Sequence, residues 1–274
     1  MAEAARVKSN LALRLLTAAV CGPIIIWMLY WGGPLVFPIV TGIVAALGAS
    51  ELFAMLAPGN VRLRAWGVLS SSAVYLLMTL APESRLLPLG IVALTCANML
   101  IVLAQPEPIE SAALRMGWSV AGPLYVGGLF SAVALLFQHD HGGSWVMLAL
   151  LCGFLSDTAG YFVGSNFGKR QLAPIVSPKK TIEGSLGGLA AGLFSGLLAH
   201  FWFLPELPLL HAIFLSIAAA ALGQLGDLCE SLMKRSFGVK DSGTVLPGHG
   251  GILDRSDAML FSATAVLAYV TLIA

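Results

Sequence analysis

The sequence predicts an all-α fold, a polytopic membrane bundle of about nine transmembrane helices with a cytoplasmic N-terminus. Three observations lead there. Hydrophobic residues make up 58% of the 274 residues and charged residues only 11%, where soluble domains carry roughly a quarter charged. Apolar windows of about 18 residues or more recur along the chain, each long enough to cross a hydrocarbon core of roughly 30 Å. Lys and Arg gather on alternate connections, as the positive-inside rule demands of a multi-span protein. This composition excludes a soluble enzyme of one or two domains. The formal net charge of +1 says nothing useful of partners beyond the bilayer, and no nucleic acid is expected among them.

The expected spans are 12–31, 35–56, 65–81, 86–104, 117–138, 145–167, 184–204, 208–229 and 258–274. Arg6, Lys8 and Arg14 give the first a signal-peptide look. It lacks a small-residue cleavage site, however, and Trp27, Tyr30 and Trp31 close it like an interfacial anchor. With the N-terminus inside, every Lys and Arg except Arg85 falls on the cytoplasmic face, and the C-terminus ends outside. Arg62 with Arg64, the loop 105–116 and the basic loop 168–183 then share one surface. The whole chain, 1–274, reads as one membrane domain: 1–144 provide N-terminal spans, and 145–274 the catalytic spans and their cytoplasmic loops.

Cys21, Cys96, Cys152 and Cys229 lie in or at the ends of apolar runs without paired spacing, so neither disulfides nor a Cys-bound metal is expected. His139, Asp140 and His141 read as a solvated outer turn in preference to a metal cluster, because no further ligand lies near them. Glycines recur every four residues at 160, 164 and 168 and again at 184, 188, 192 and 196. That spacing lines one helix face and admits a second backbone. Packing within the chain is the preferred use, with a homodimer seam as the alternative.

Acidic residues inside spans are costly and point to function. Glu51, near the cytoplasmic end of the second span, reads equally as functional or as reaching the headgroups. Asp157, inside the sixth span, is expected to line a polar cavity open to the cytoplasm, with a helix-packing hydrogen bond as the alternative. Beyond it, Ser177, Lys179, Lys180 and Thr181 set two cations and two hydroxyls just before a helix N-terminus. Lysines and helix N-termini suit phosphate.

The stretch 226–257 breaks the apolar character on either side of it. It reads as a charged cytoplasmic loop between the last two spans. Asp227 with Glu230, and Asp254 with Asp257, place carboxylates at helical i, i+3 spacing at its two ends. Carboxylates without a His or Cys partner set favour a hard cation such as magnesium. Lys234, Arg235, Lys240 and Arg255 add cations, and Gly248, His249, Gly250 and Gly251 form a turn that exposes backbone N–H groups. Metal, cations and backbone donors together are what phosphoryl or nucleotidyl transfer needs.

These residues carry a resemblance. The run 231–257, with Lys234-Arg235, Lys240-Asp241, Pro247 to Gly251 and Asp254-Arg255-x-Asp257, resembles the signature of the phosphatidate cytidylyltransferase (CDP-diacylglycerol synthase) family. The segments SDTAGYFVGSNFGK, SPKKTIEG and GDLCES resemble the family's other characteristic elements, so the likeness spans 155–257. One departure is Ser256, where the family usually has Thr or an apolar residue. The resemblance implies CTP and phosphatidic acid as substrates, and CDP-diacylglycerol and pyrophosphate as products. It also implies a bacterial inner-membrane location, a cytoplasmic active site and a magnesium requirement. Asp227 and Asp254 would hold the metal, in a two-ion site that also takes a monovalent cation such as K+. Lys179, Lys180, Lys234 and Arg235 would bind phosphates, His249 and its neighbouring glycines CTP, and Asp157 would line the cavity. The remaining charged residues of the signature, Lys240, Asp241, Arg255 and Asp257, are assigned to the catalytic group. Ser177, Thr181 and Glu230 go to the substrate side.

Two other readings are weighed. A polyprenol kinase would release CDP, and a CDP-alcohol phosphotransferase would need a clustered Asp-Gly-x-x-Ala-Arg pattern that is absent. An ion-coupled transporter would show an internal repeat, and none is seen.

Overall fold

The computed structural model describes residues 19–243 and 250–273. Helices α1 (Ala19–Tyr30), α2 (Gly33–Leu56), α3 (Val61–Leu80) and α4 (Leu86–Leu103) follow one another through short turns. A short 3-10 turn then leads into α5 (Ala112–Pro123), which continues through a π turn into α6 (Leu129–Gln138). The C-terminal half holds α7 (Gly142–Phe167), α8 (Ile182–Leu198), α9 (Leu209–Ser236) and α10 (Leu253–Leu272). Among the described residues, seven helical stretches are long and apolar enough to cross a membrane. α1 is shorter as described, and α10 opens on Asp254, Arg255 and Asp257. The protein is an all-α polytopic membrane protein, as the composition requires.

Apolar side chains face both inward and outward, as expected of helices dissolved in lipid. α4 shows it most clearly: Leu86, Leu89, Val92, Leu100 and Leu103 are all exposed, and its buried residues are Asn98 and Val102. Asn98 accepts a hydrogen bond from the Trp66 indole at 2.7 Å, which fixes α4 against α3. The loop 105–116 is held by Arg115. Its buried guanidinium donates to the carbonyls of Gln105, Pro106 and Pro108 at 2.9, 2.6 and 3.0 Å.

Two sequence expectations change here. First, 226–257 is not a loop throughout. α9 runs on to Ser236, well past the apolar limit at 229, because Leu, Glu, Met, Lys and Arg are good helix formers whatever their hydropathy. Second, Ser177 to Thr181 is a strand and not a loop. Strands β1 (Gln171–Ala173) and β2 (Ser177–Thr181) pair antiparallel with Gln171 opposite Thr181 and Ala173 opposite Ser177. This hairpin caps the C-terminal end of α7 and the N-terminal end of α8, where the Glu183 carboxylate accepts the Lys169 and Arg170 amides at 3.0 and 3.2 Å.

The glycine faces pack within the chain. A methyl group built on Gly184 would lie 2.7 Å from the Gly160 carbonyl oxygen and 3.1 Å from the Gly164 Cα. Further along, one on Gly188 would lie 2.9 Å from the Ser156 carbonyl, and one on Gly192 would meet the Ser216 carbonyl of α9 at 3.1 Å. Glycine is therefore what lets α8 lie against α7 and α9 at backbone distance.

Candidate active site

Helices α7, α8, α9 and α10 and the β1–β2 hairpin converge on a cavity of about 970 Å³. α7 contributes Asp157 from a turn that also presents Ser156, Gly160 and Tyr161. β2 and the start of α8 contribute Lys179, Lys180 and Thr181, the last capping α8 by accepting the Gly184 amide at 3.1 Å. α9 and the turn after it provide Gln224, Asp227, Lys234, Lys240 and Asp241, and α10 with its preceding turn Gly250, Asp254, Arg255 and Asp257. On α9, residues 224, 227, 230 and 234 fall at three- and four-residue steps, so they share one helix face.

Charge is paired across elements. Lys180 of β2 makes an ion pair with Asp227 of α9, which joins the two stretches that the sequence set apart. Lys234 reaches Asp254 Oδ1 at 2.5 Å and Glu230 Oε2 at 3.3 Å, and so ties α9 to α10. Asp254 Oδ2 accepts the Ser242 and Gly251 amides at 2.9 and 2.8 Å and the Ser242 hydroxyl lies 3.0 Å away. Burial works against the charge of Asp254, but Lys234 and these two amides outweigh it and hold the carboxyl below its ordinary range. Gly250 is required in the turn: its φ of +82° is left-handed, and a side chain there would meet Asp254 Oδ2 at 2.9 Å.

Not every residue singled out in the sequence faces the cavity. Arg235 is exposed and donates to the Val239 carbonyl at 3.3 Å, sealing the end of α9. Ser177 sits in the hairpin pairing, Gly251 is buried behind Asp254, and Glu230 is fully buried below Lys234. His249 lies outside the described residues, as do Pro247 and Gly248.

Sequence reasoning missed Gln224 and left Glu51 open. Gln224 donates to Ser156 Oγ at 3.0 Å and to the Ser185 carbonyl at 3.1 Å, and accepts from the Ser185 hydroxyl, so one amide joins α7, α8 and α9. Glu51 does not reach the headgroups; it is only 4% exposed and touches the turn that leads into α10. Glutamine in an apolar helix carries no charge to mark it, and Glu51 stands almost 200 positions from its partners.

The donor set suits a hard cation. Asp157, Asp227, Asp241, Asp254 and Asp257 all line the cavity, and no His or Cys lines it among the described residues. No group of three His, Cys, Asp or Glu is gathered as a ready-made metal site among those residues. Magnesium is commonly held by one or two carboxylates and completed by substrate phosphates, and these aspartates could hold it. Among the described residues Asp227 has the freer oxygen, since Oδ1 meets the Ser231 hydroxyl at 3.4 Å, while both oxygens of Asp254 are engaged. A carboxylate-lined cavity with facing lysines can bind polyphosphate and hold its charge in place.

Known proteins agree with this chemistry. The model of the cytidylyltransferase family matches residues 12–273. A phosphatidate cytidylyltransferase of Brucella suis biovar 1 is 36% identical over 95% of this chain and 93% of its own length. That of Bacillus subtilis is 37% identical over 54% of this chain and 55% of its own. One from Staphylococcus saprophyticus is 43% identical over 50% of this chain and 52% of its own.

Proposed function

The chain belongs to the cytidylyltransferase family, and on that premise we propose that it transfers the cytidylyl group of CTP to phosphatidic acid. The products are CDP-diacylglycerol and pyrophosphate, and the reaction serves phospholipid synthesis. The observation that carries this reading is the cavity itself, where Lys180–Asp227 joins the basic segment 177–181 to the stretch 226–257 and Lys234–Asp254 ties the two ends of that stretch together.

A phosphate oxygen of phosphatidic acid bonds to the α-phosphorus of CTP, and the bond from that phosphorus to the bridging β-oxygen breaks. Pyrophosphate leaves with the electron pair. A phosphomonoester with a second pKa of about 6 is already largely dianionic at neutral pH, so no strong base is required. Lys179, Lys180 and Lys234 hold the phosphates and spread the charge that builds on the reacting phosphorus. Thr181 and the α8 N-terminus offer further donors, and Asp157 keeps the inner wall polar. Asp227 and Asp254 would hold magnesium, which when bound neutralises triphosphate charge and polarises the phosphorus. Tyr161 and Leu172 line the cavity beside the charged groups and are well exposed, which supports a sideways mouth through which acyl chains remain in lipid. The active site is assigned to the cytoplasmic face of a bacterial inner membrane, by the distribution of Lys and Arg and by the bacterial relatives.

Purified chain supplied with CTP, phosphatidic acid and magnesium is expected to form CDP-lipid and pyrophosphate in equal amounts. Chelation should abolish both products, and magnesium should restore them. Formation of CDP in place of pyrophosphate would show a kinase, and no turnover at all would remove the enzymatic reading.

A further inference from the structure

Among the described residues, the N-terminal spans contribute one acidic side chain to the region behind the cavity. Glu51, on α2, is buried, and its carboxylate accepts the Ile252 amide at 3.0 Å and the Leu253 amide at 3.0 Å. The Ser242 hydroxyl lies 3.1 Å from Glu51 Oε2 and 3.0 Å from Asp254 Oδ2. These amides are the first of α10, where an anion is favoured by unpaired N–H groups and by the helix dipole. Space around the carboxylate is closed: a methyl group on Gly243 would lie 2.5 Å from Oε1, and one on Gly251 2.6 Å from Oε2. Gly48, one turn earlier on α2, lies against Leu253, and a methyl there would meet its Cδ2 at 3.1 Å.

We propose that Glu51 is a positioning residue for cytidylyl transfer. It clamps the 242 turn and the start of α10 to α2, so that Asp254 keeps its amides and its bond to Lys234. A carboxyl this buried would be costly without hydrogen-bond partners; here both of its oxygens receive backbone N–H groups from the segment that carries Asp254. Glu51 touches the frame behind Asp254 and does not line the cavity, so it acts on the chemical step through Asp254 and leaves phosphatidate binding alone. The proposal rests on the cytidylyltransferase reading for its kinetic arm only.

The test uses the full chain in lipid nanodiscs, with Glu51→Ala, Glu51→Gln and, as a control on the same helix, Thr41→Ala. Thr41 bonds only to the Phe37 carbonyl of its own helix, at 2.8 Å. Losing a charge-assisted acceptor is expected to speed amide exchange at 252–253 by about 10- to 100-fold. Exchange across α7 and α8 should hold. The same variants should lower kcat by about 10- to 100-fold while KM for phosphatidate stays within about twofold. Glu51→Gln, which keeps the volume and one acceptor, should fall between parent and Ala; it carries the test if the Ala variant does not accumulate. Thr41→Ala should match the parent. Exchange that quickens uniformly over α7, α8 and α10, or kcat within about twofold of the parent, would overturn the proposal. If the parent makes no CDP-lipid, the functional reading fails, and the exchange comparison still decides the clamp.

Discussion

Lys234 is the residue on which most of the site depends. It is 9% exposed and stands between Glu230 and Asp254, so removing its charge leaves the buried Glu230 and the half-buried Asp254 facing each other. Lys234→Met is expected to destabilise the fold by about 3–5 kcal/mol, read as a lower thermal midpoint in detergent. Asp254→Asn should be milder for folding and severe for activity. Its amide NH2 would confront the Ser242 and Gly251 N–H donors or lose Lys234, and kcat should fall about 100-fold in a steady-state assay. An Asp254→Asn variant with the parent rate would sink the assignment of Asp254. At this scale the sequence was informative where charge was dense. Asp227, Lys234 and Asp254 announced themselves by spacing, and Asp157 by its cost inside a span. Glu51 did not, because a single acid near a span end has a cheap alternative in the headgroups, and its true partners come from the other end of the chain. Gln224 was hidden for the opposite reason: a neutral amide among alanines and leucines leaves no electrostatic trace.

Among the elements, α7 and α8 set the cavity wall, and glycine sets their distance. Gly184→Ala would push a methyl to within 2.7 Å of the Gly160 carbonyl oxygen and so part Asp157 from Lys180. It is expected to cost about 1–3 kcal/mol of stability by overpacking and to lower activity. Gly117→Ala on α5, with nothing within 4 Å, is the contrast. It should be neutral or stabilise by about 0.5–1 kcal/mol, since a helix interior prefers alanine. Thermal melts of the two variants side by side check both. The four-residue glycine repeat was legible in the sequence and so was its preferred use inside the chain. The length of α9 was not, because hydropathy reports where lipid ends and says nothing about where a helix ends. The hairpin 171–181 was missed too: its strands have three and five residues, too short for alternation to register.

Taken whole, the molecule joins a lipid-soluble frame to a charged cavity mouth. Seven long apolar stretches among the described residues form that frame. By the positive-inside rule the basic loops are expected on the cytoplasmic side, and the mouth with them. Cysteine introduced at Lys179 should then react with an impermeant maleimide only from the cytoplasmic side, and cysteine at Ser84 only from the outer side. Fold class was readable from composition alone, since no soluble architecture tolerates so little charge. The meeting of Lys180 with Asp227 was readable only as a juxtaposition of two basic and acidic stretches, and it took the fold to pair them. What the cavity does turns on which phosphorus of CTP the lipid phosphate joins. The decisive measurement is parallel turnover with CTP labelled at the α- or the γ-phosphorus, with phosphatidic acid and magnesium. Label from the α position is expected in the lipid and label from the γ position in pyrophosphate. Label from the γ position in the lipid, or lipid unlabelled by either, would contradict cytidylyl transfer.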